Sequence, residues 1–110
     1  MAYENMERAA MDTVHPNTGA VYHTVIELAD SEASDEYILP VQAIYGIAVE
    51  ITGNGTVSFT IDPPEVIEAG TATYVAWNGT DAISLAVTGF KAVSVSGAVT
   101  VRATVKTEEW

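Results

Sequence analysis

Catalysis needs reactive side chains that converge, and this chain has few candidates. Its two histidines are His15 and His23. His15 precedes a proline, and His23 alternates with Tyr22 and Thr24 in an apolar-rich run. With no cysteine in the chain, they could hold a metal only with carboxylate help, and no ligand spacing recurs around them. Carboxylates are densest at Glu27, Asp30, Glu32, Asp35 and Glu36. Such oxygens suit Ca²⁺, but the run lacks the alternating Asx pattern and the glycine of a calcium loop. It is expected to be a solvated loop. Glu65 and Glu68 raise the idea of a glycosidase acid pair, but a domain this small has little room for the cleft that pair must flank. There is no serine-nucleophile elbow, phosphate-binding glycine loop or dinucleotide fingerprint. The residues therefore point away from an enzyme, with no catalytic residue, cofactor or metal assigned. What remains is binding chemistry, and Trp77 beside a loop is its most visible element. Trp77 fits a sugar-stacking platform, a subunit contact or a cap on the end of the fold.

The scaffold that must carry these groups is short and apolar. The chain has 110 residues, 48% hydrophobic and 17% charged, enough for one domain that buries about two-thirds of its extended-chain surface. Fifteen acids against four Lys and Arg give a net charge of −11. That field repels nucleic-acid phosphates and anionic membranes. Neither a signal-peptide pattern nor an apolar run of membrane-spanning length is present, so synthesis and folding in a reducing cytoplasm are expected.

Residues 20–110 read as an all-β domain, an antiparallel β-sandwich or jelly roll of about eight short strands. Val, Ile and Thr dominate, and Gly, Asn, Asp and Pro interrupt them at short intervals. Strands are expected near Ala20–Leu28, Tyr37–Val41, Ile44–Thr52, Thr56–Asp62, Thr71–Trp77, Ala82–Thr88, Lys91–Ser96 and Ala98–Lys106. Ile47, Val49 and Ile51 alternate with Ala48, Glu50 and Thr52, as Val57, Phe59 and Ile61 do with Ser58 and Thr60. A three-residue Gly53-Asn54-Gly55 hairpin would set Ile51 opposite Val57 and Val49 opposite Phe59, keeping six apolar side chains on one face. Asp62-Pro63-Pro64 should end the second strand. A second turn is expected at Ser96-Gly97, its register left open.

Residues 1–19 are polar and read as a short arm. Tyr3, Met6 and Ala10 fall on one face of a two-turn helix, marginal alone. The arm either frays or orders on a neighbouring subunit. A terminal Trp110 after Glu108-Glu109 needs somewhere to dock. Tyr3, Met6, Arg8, Trp77 and Trp110 are thus the candidate protein-contact residues.

Two stretches carry a family likeness. Ala69-Gly-Thr-Ala-Thr-Tyr-Val-Ala-Trp-Asn-Gly79 and the ending Val87-Thr-Gly-Phe-Lys-Ala-Val-Ser-Val-Ser-Gly-Ala-Val-Thr-Val-Arg-Ala-Thr-Val105 resemble small β-sandwich virion proteins of tailed bacteriophages. That resemblance implies a capsid decoration (cement) protein, a head fibre or a tail-associated module, and it carries over no catalytic residue. The expectation is a decoration protein on the capsid exterior, bound to the major capsid protein and to its own copies as a homotrimer, with no nucleic acid or membrane partner. The alternatives are a receptor- or carbohydrate-binding fibre module and a head–tail adaptor or tail component.

Overall fold

A computed structural model describes residues 3–6, 21–39, 46–83 and 86–106. Six strands and one short helix follow in order: β1 (Tyr3–Asn5), β2 (Val21–Leu28), β3 (Glu36–Ile38), β4 (Gly46–Thr60), α1 (Pro64–Glu68), β5 (Val75–Trp77) and β6 (Gly89–Lys106). The protein is therefore predominantly β, with six strands among the described residues where about eight were expected. All six belong to one sheet, ordered β1-β3-β6-β4-β5, with β2 also paired to β6. Every pairing is antiparallel except β1 with β3.

The two expected hairpins are absent, and this accounts for most of the lower strand count. β4 runs through Gly53-Asn54-Gly55 and β6 through Ser96-Gly97, and the two strands pair along their whole length, from Gly46↔Lys106 to Thr60↔Gly89. Ile51 therefore lies opposite Val101, and Val57 opposite Ala92. The glycines that signalled turns instead form a matched kink. Gly53 and Gly97 have φ of 104° and 74°, the left-handed region open to glycine. A Cβ on Gly53 would lie 2.7 Å from the Ala98 carbonyl oxygen. Asn54 donates from Nδ2 to Ser96 Oγ across the kink at 3.0 Å.

The kink also changes which side chains face inward. Thr52 pairs with Thr100 and Gly55 with Ser94, so β6 carries three more residues than β4 across it. An odd excess swaps faces on one strand only. β6 accordingly buries Phe90, Ala92 and Ser94 before the kink and Val99, Val101, Ala103 and Val105 after it, while β4 keeps Val57 and Phe59 on the face of Ile47, Val49 and Ile51.

The main cluster combines the buried apolar residues among these with Ile26, Leu28, Leu39, Val87 and Met6, and Ile47, Val49 and Ile51 pack against it. A fully buried side chain of this kind contributes about 1.5–3 kcal/mol. Ile38 and Ile67 lie outside that cluster although both are buried. They belong to the opposite face, where α1 lies over Gly89. A Cβ there would come within 2.8 Å of Ile67 Cδ1.

Other expectations also change. Tyr3–Asn5 is a strand, not a helical turn, and Met6 is 6% exposed within the chain's own core. Its N–H donates to Ile38 O at 3.0 Å, and that pairing with β3 outweighs a helix too short to be stable alone. Ala10 lies outside the described residues. The expected Thr71–Trp77 strand is confined to Val75–Trp77, and none of residues 82, 83 and 86–88 is in a strand. Ile61 is exposed rather than inward-facing, because β4 ends at Thr60 just before Asp62-Pro63-Pro64, as those prolines require. The same prolines start α1, where a missing N–H costs nothing.

Candidate functional site

Two of the recesses on the described residues rest on Phe90 through the aromatic rings that line them, Phe59 and Tyr37. The first is an apolar trough of about 470 Å³ beside β5. β5 pairs with β4 through Val57↔Trp77 and Phe59↔Val75, so Trp77 and Val75 extend the core face outward past the last ladder position. Ile61, Ile83 and Val87 complete the walls. Ile61 and Val75 are 71% and 70% exposed, large apolar surfaces left uncovered among the described residues.

Local hydrogen bonds hold the trough's shape. Asp62 Oδ2 accepts the Thr73 N–H at 2.7 Å, tying the two ends of the α1 excursion. Thr88 donates its N–H to Thr60 O at 2.8 Å and its hydroxyl to Asp62 O. Trp77 Nε1 donates to Asp81 O at 2.7 Å. Asn78 Oδ1 accepts the N–H groups of Thr80 and Asp81, each at 2.9 Å, closing the loop expected at 77–81. The Trp77 ring stands edge-on to Phe59, with centroids 6.1 Å apart. Trp77 is thus a half-buried wall with its N–H engaged, a different arrangement from an open stacking platform.

Behind β5, on the α1 face, Glu36 is 2% exposed. Tyr74 donates its hydroxyl to Glu36 Oε1 at 2.7 Å, and Oε2 has no partner among the described residues. Lys91 Nζ lies 4.4 Å from the centre of the Tyr74 ring. Burial raises the Tyr74 hydroxyl pKa, followed by its bond to Glu36 and the charges of Glu36 and Asp62. This anchor immediately precedes Val75 and fixes where the trough wall begins.

The second recess, about 520 Å³, is polar and lies between β1, β2 and β3. Tyr3, Glu4, Asn5, His23, Thr24 and Tyr37 line it, with Val25. The Tyr37 ring stacks on Phe90 at 5.3 Å, and Tyr37 stands opposite Glu4 in the β1–β3 ladder. Burial raises the Tyr37 pKa first, then the Glu4 charge and hydrogen bond, then Asp35; a bond from Thr24 opposes them. His23 Nδ1 is 2.8 Å from Thr104 Oγ1, which sets the ring's orientation.

The acidic run is a clasp on the β6 kink. Asp30 Oδ1 accepts the Gly97 N–H at 2.7 Å, Glu32 Oε1 accepts the Ala29 N–H at 2.9 Å, and Glu32 O accepts the Ser94 N–H at 2.8 Å. Ser94 Oγ donates to Gly97 O at 2.6 Å. Among the described residues, no three His, Cys, Asp or Glu are grouped to hold a metal ion. Glu65 and Glu68 are exposed on α1 and line neither recess.

Of the expected contact residues, Trp77 lines the apolar trough and Tyr3 the polar recess, Met6 is in the core, and Arg8 and Trp110 lie outside the described residues, as does His15, which was weighed only as a metal ligand. The structure does not bring Trp77 and Tyr3 together. Sequence reasoning missed Ile61 and Val75 as surface groups, although Pro63-Pro64 marked where Ile61 leaves the ladder. It also missed Glu4 and Tyr37, which only the parallel β1–β3 pairing brings together. No family model, curated protein or solved structure matches this chain.

Proposed function

We propose that this protein is a non-enzymatic virion component, a decoration protein that binds the outer face of a phage capsid and stabilises the assembled shell. The observation carrying this reading is the apolar trough beside β5, where Ile61 and Val75 stand exposed next to Trp77 in a chain of net charge −11. Exposed apolar surface bordered by acids favours protein contact, and the acidity suits the outside of a DNA-filled shell, because facing packaged DNA would be repulsive.

The likeness of the Val87–Val105 ending to phage β-sandwich proteins supports the same reading. So does the core, in which inward residues from both sides of the β4–β6 kink meet in one cluster, as the two layers of a small sandwich would. Binding at three-fold sites as a homotrimer follows the symmetry of such shells. A ligand of the mature lattice that does not bind its dissociated parts stabilises it by about 4 kcal/mol at a thousand-fold excess over Kd.

The test is addition of purified protein to undecorated shells, followed by sedimentation and copy counting. Decoration gives copies in numbers comparable to the shell's capsomers and a higher shell melting temperature. A handful of copies per particle indicates an adaptor or fibre, and no binding overturns the reading.

A further inference from the structure

We infer that the outer edge of β5 takes an extended segment of a partner protein as an added strand, one with alternating apolar residues and a Lys or Arg at each end. The inference rests on the reading of the trough as a protein-contact surface and names what enters it.

β5 is the last strand in the order β1-β3-β6-β4-β5, and among the described residues only β4 pairs with it. The ladder Val57↔Trp77, Ser58↔Ala76 and Phe59↔Val75 uses one side of the strand. On its other side no backbone N–H or C=O is hydrogen-bonded among the described residues. Proteins blunt such an edge with lysine, proline or a bulge. Val75-Ala76-Trp77 has none of these. An unblunted edge is a template for strand addition, in which ladder bonds hold the backbone and neighbouring pockets read alternate side chains.

The trough supplies the pocket. Successive strand residues face opposite ways, so Val75 and Trp77 share the trough face and Ala76 takes the other. Ile61 adds its exposed side chain at the same end of the sheet. A strand added beside β5, about 4.8 Å away, lays every second side chain on that face against Val75. This sets the apolar alternation required of the partner.

Charge selects among occupants. Two carboxylates bracket β5. Asp62 lines the trough and its Oδ2 accepts the Thr73 N–H ahead of the strand, while Asp81 Oδ2 accepts from Asn78 Nδ2 just past its end at 2.8 Å. Lys91 lies over the Tyr74 ring, on the α1 face. The whole chain carries −11 with all four Lys and Arg counted. A second copy of the chain therefore meets repulsion, whereas a basic segment is attracted wherever those four lie.

The experiment is a chemical-shift titration of the isotopically labelled full chain with the blocked heptapeptide Lys-Val-Thr-Val-Thr-Val-Lys. The expected shifts fall on the amides of Ile61, Val75, Ala76 and Trp77. Two N-methylated forms, one methylated at the valines and one at the threonines, each block one edge of the peptide, because successive N–H groups point to opposite edges. One form should bind as the parent peptide does and the other should not bind. Any other pattern, loss by both included, overturns strand addition, as does an absence of shifts at β5 with the parent peptide. Replacing both lysines by glutamates should weaken binding at least about tenfold, and equal binding overturns the choice of a basic segment. Ile61→Thr combined with Val75→Thr keeps β-branched side chains and should weaken the parent peptide about tenfold; unchanged binding overturns the role of the trough. Shell binding is measured separately. Peptide binding at β5 without shell binding overturns the capsid reading and leaves strand addition standing, and shell protection of β5 without peptide binding does the reverse.

Discussion

The two recesses are built on the same sheet and share one supporting ring, yet they differ in almost every property that governs recognition. The trough gathers Phe59, Ile61, Val75, Trp77, Ile83 and Val87 from neighbouring strands and loops of one sheet end, and it is apolar. The polar recess gathers Glu4, Asn5, His23, Thr24 and Tyr37 from three strands far apart in sequence. Phe90 stacks on Tyr37 below one, at 5.3 Å, and tilts against Phe59 below the other, at 6.2 Å. A single core residue therefore supports two surfaces of opposite polarity, and the difference between them comes from what the strand ends add around it.

Removing the shared ring breaks the comparison most severely. Phe90→Ala should cost about 3–5 kcal/mol in chemical denaturation and abolish shell binding through the trough. Retention of shell binding at full strength would show that the trough does not depend on Phe90. Next comes the kink that lets β4 and β6 serve both ends. Gly53→Ala places a Cβ 2.7 Å from Ala98 O at a φ of 104°. The expected cost is about 1–3 kcal/mol, measurable as a lower thermal midpoint, whereas the same change at an unstrained hairpin tip would be nearly neutral.

Tyr74→Phe separates the recesses. It leaves the buried Glu36 carboxylate without its donor, at a cost of about 1–3 kcal/mol, and loosens the start of β5 without touching the polar recess. Trough binding should weaken while the Tyr37–Phe90 stack under the polar recess is unchanged. The same tyrosine contributes to alkaline sensitivity. The pKa of Tyr74, like that of Tyr37, is raised above its ordinary value of 10.0, so the folded state retains protons that the unfolded state has released. Their contribution is complete below about pH 10 and is lost as pH rises through the folded values. Denaturation midpoints should fall above that pH, and less steeply in Tyr74→Phe.

The smallest effect on stability belongs to Val75→Asp. At 70% exposure the side chain contributes little to folding, within about 0.5 kcal/mol, but a charge in the trough should remove shell binding in a co-sedimentation assay. Unchanged binding would move the contact surface elsewhere.

How much was legible beforehand follows the same division. The alternation of Ile47, Val49, Ile51, Val57 and Phe59 placed them on one face correctly, since side-chain period is a local property. The hairpin at Gly53-Asn54-Gly55 was misread because a turn and a kink ask the same of glycine. Only the matching interruption at Ser96-Gly97, on a strand some forty residues away, distinguishes them. Trp77 and its loop were visible, and so was the stop at Pro63-Pro64. The polar recess had no signature, since Glu4, His23 and Tyr37 meet only through the parallel pairing of β1 with β3 and the pairing of β2 with β6.

The central claim is that the β5 end of the sheet is a contact surface for an assembled shell. Amide hydrogen exchange, compared between free protein and protein bound to shells, tests it most directly. The account predicts slowed exchange at Ile61, Val75, Ala76 and Trp77 in the bound state. Unchanged exchange at those four, with protection appearing on another face, would contradict it.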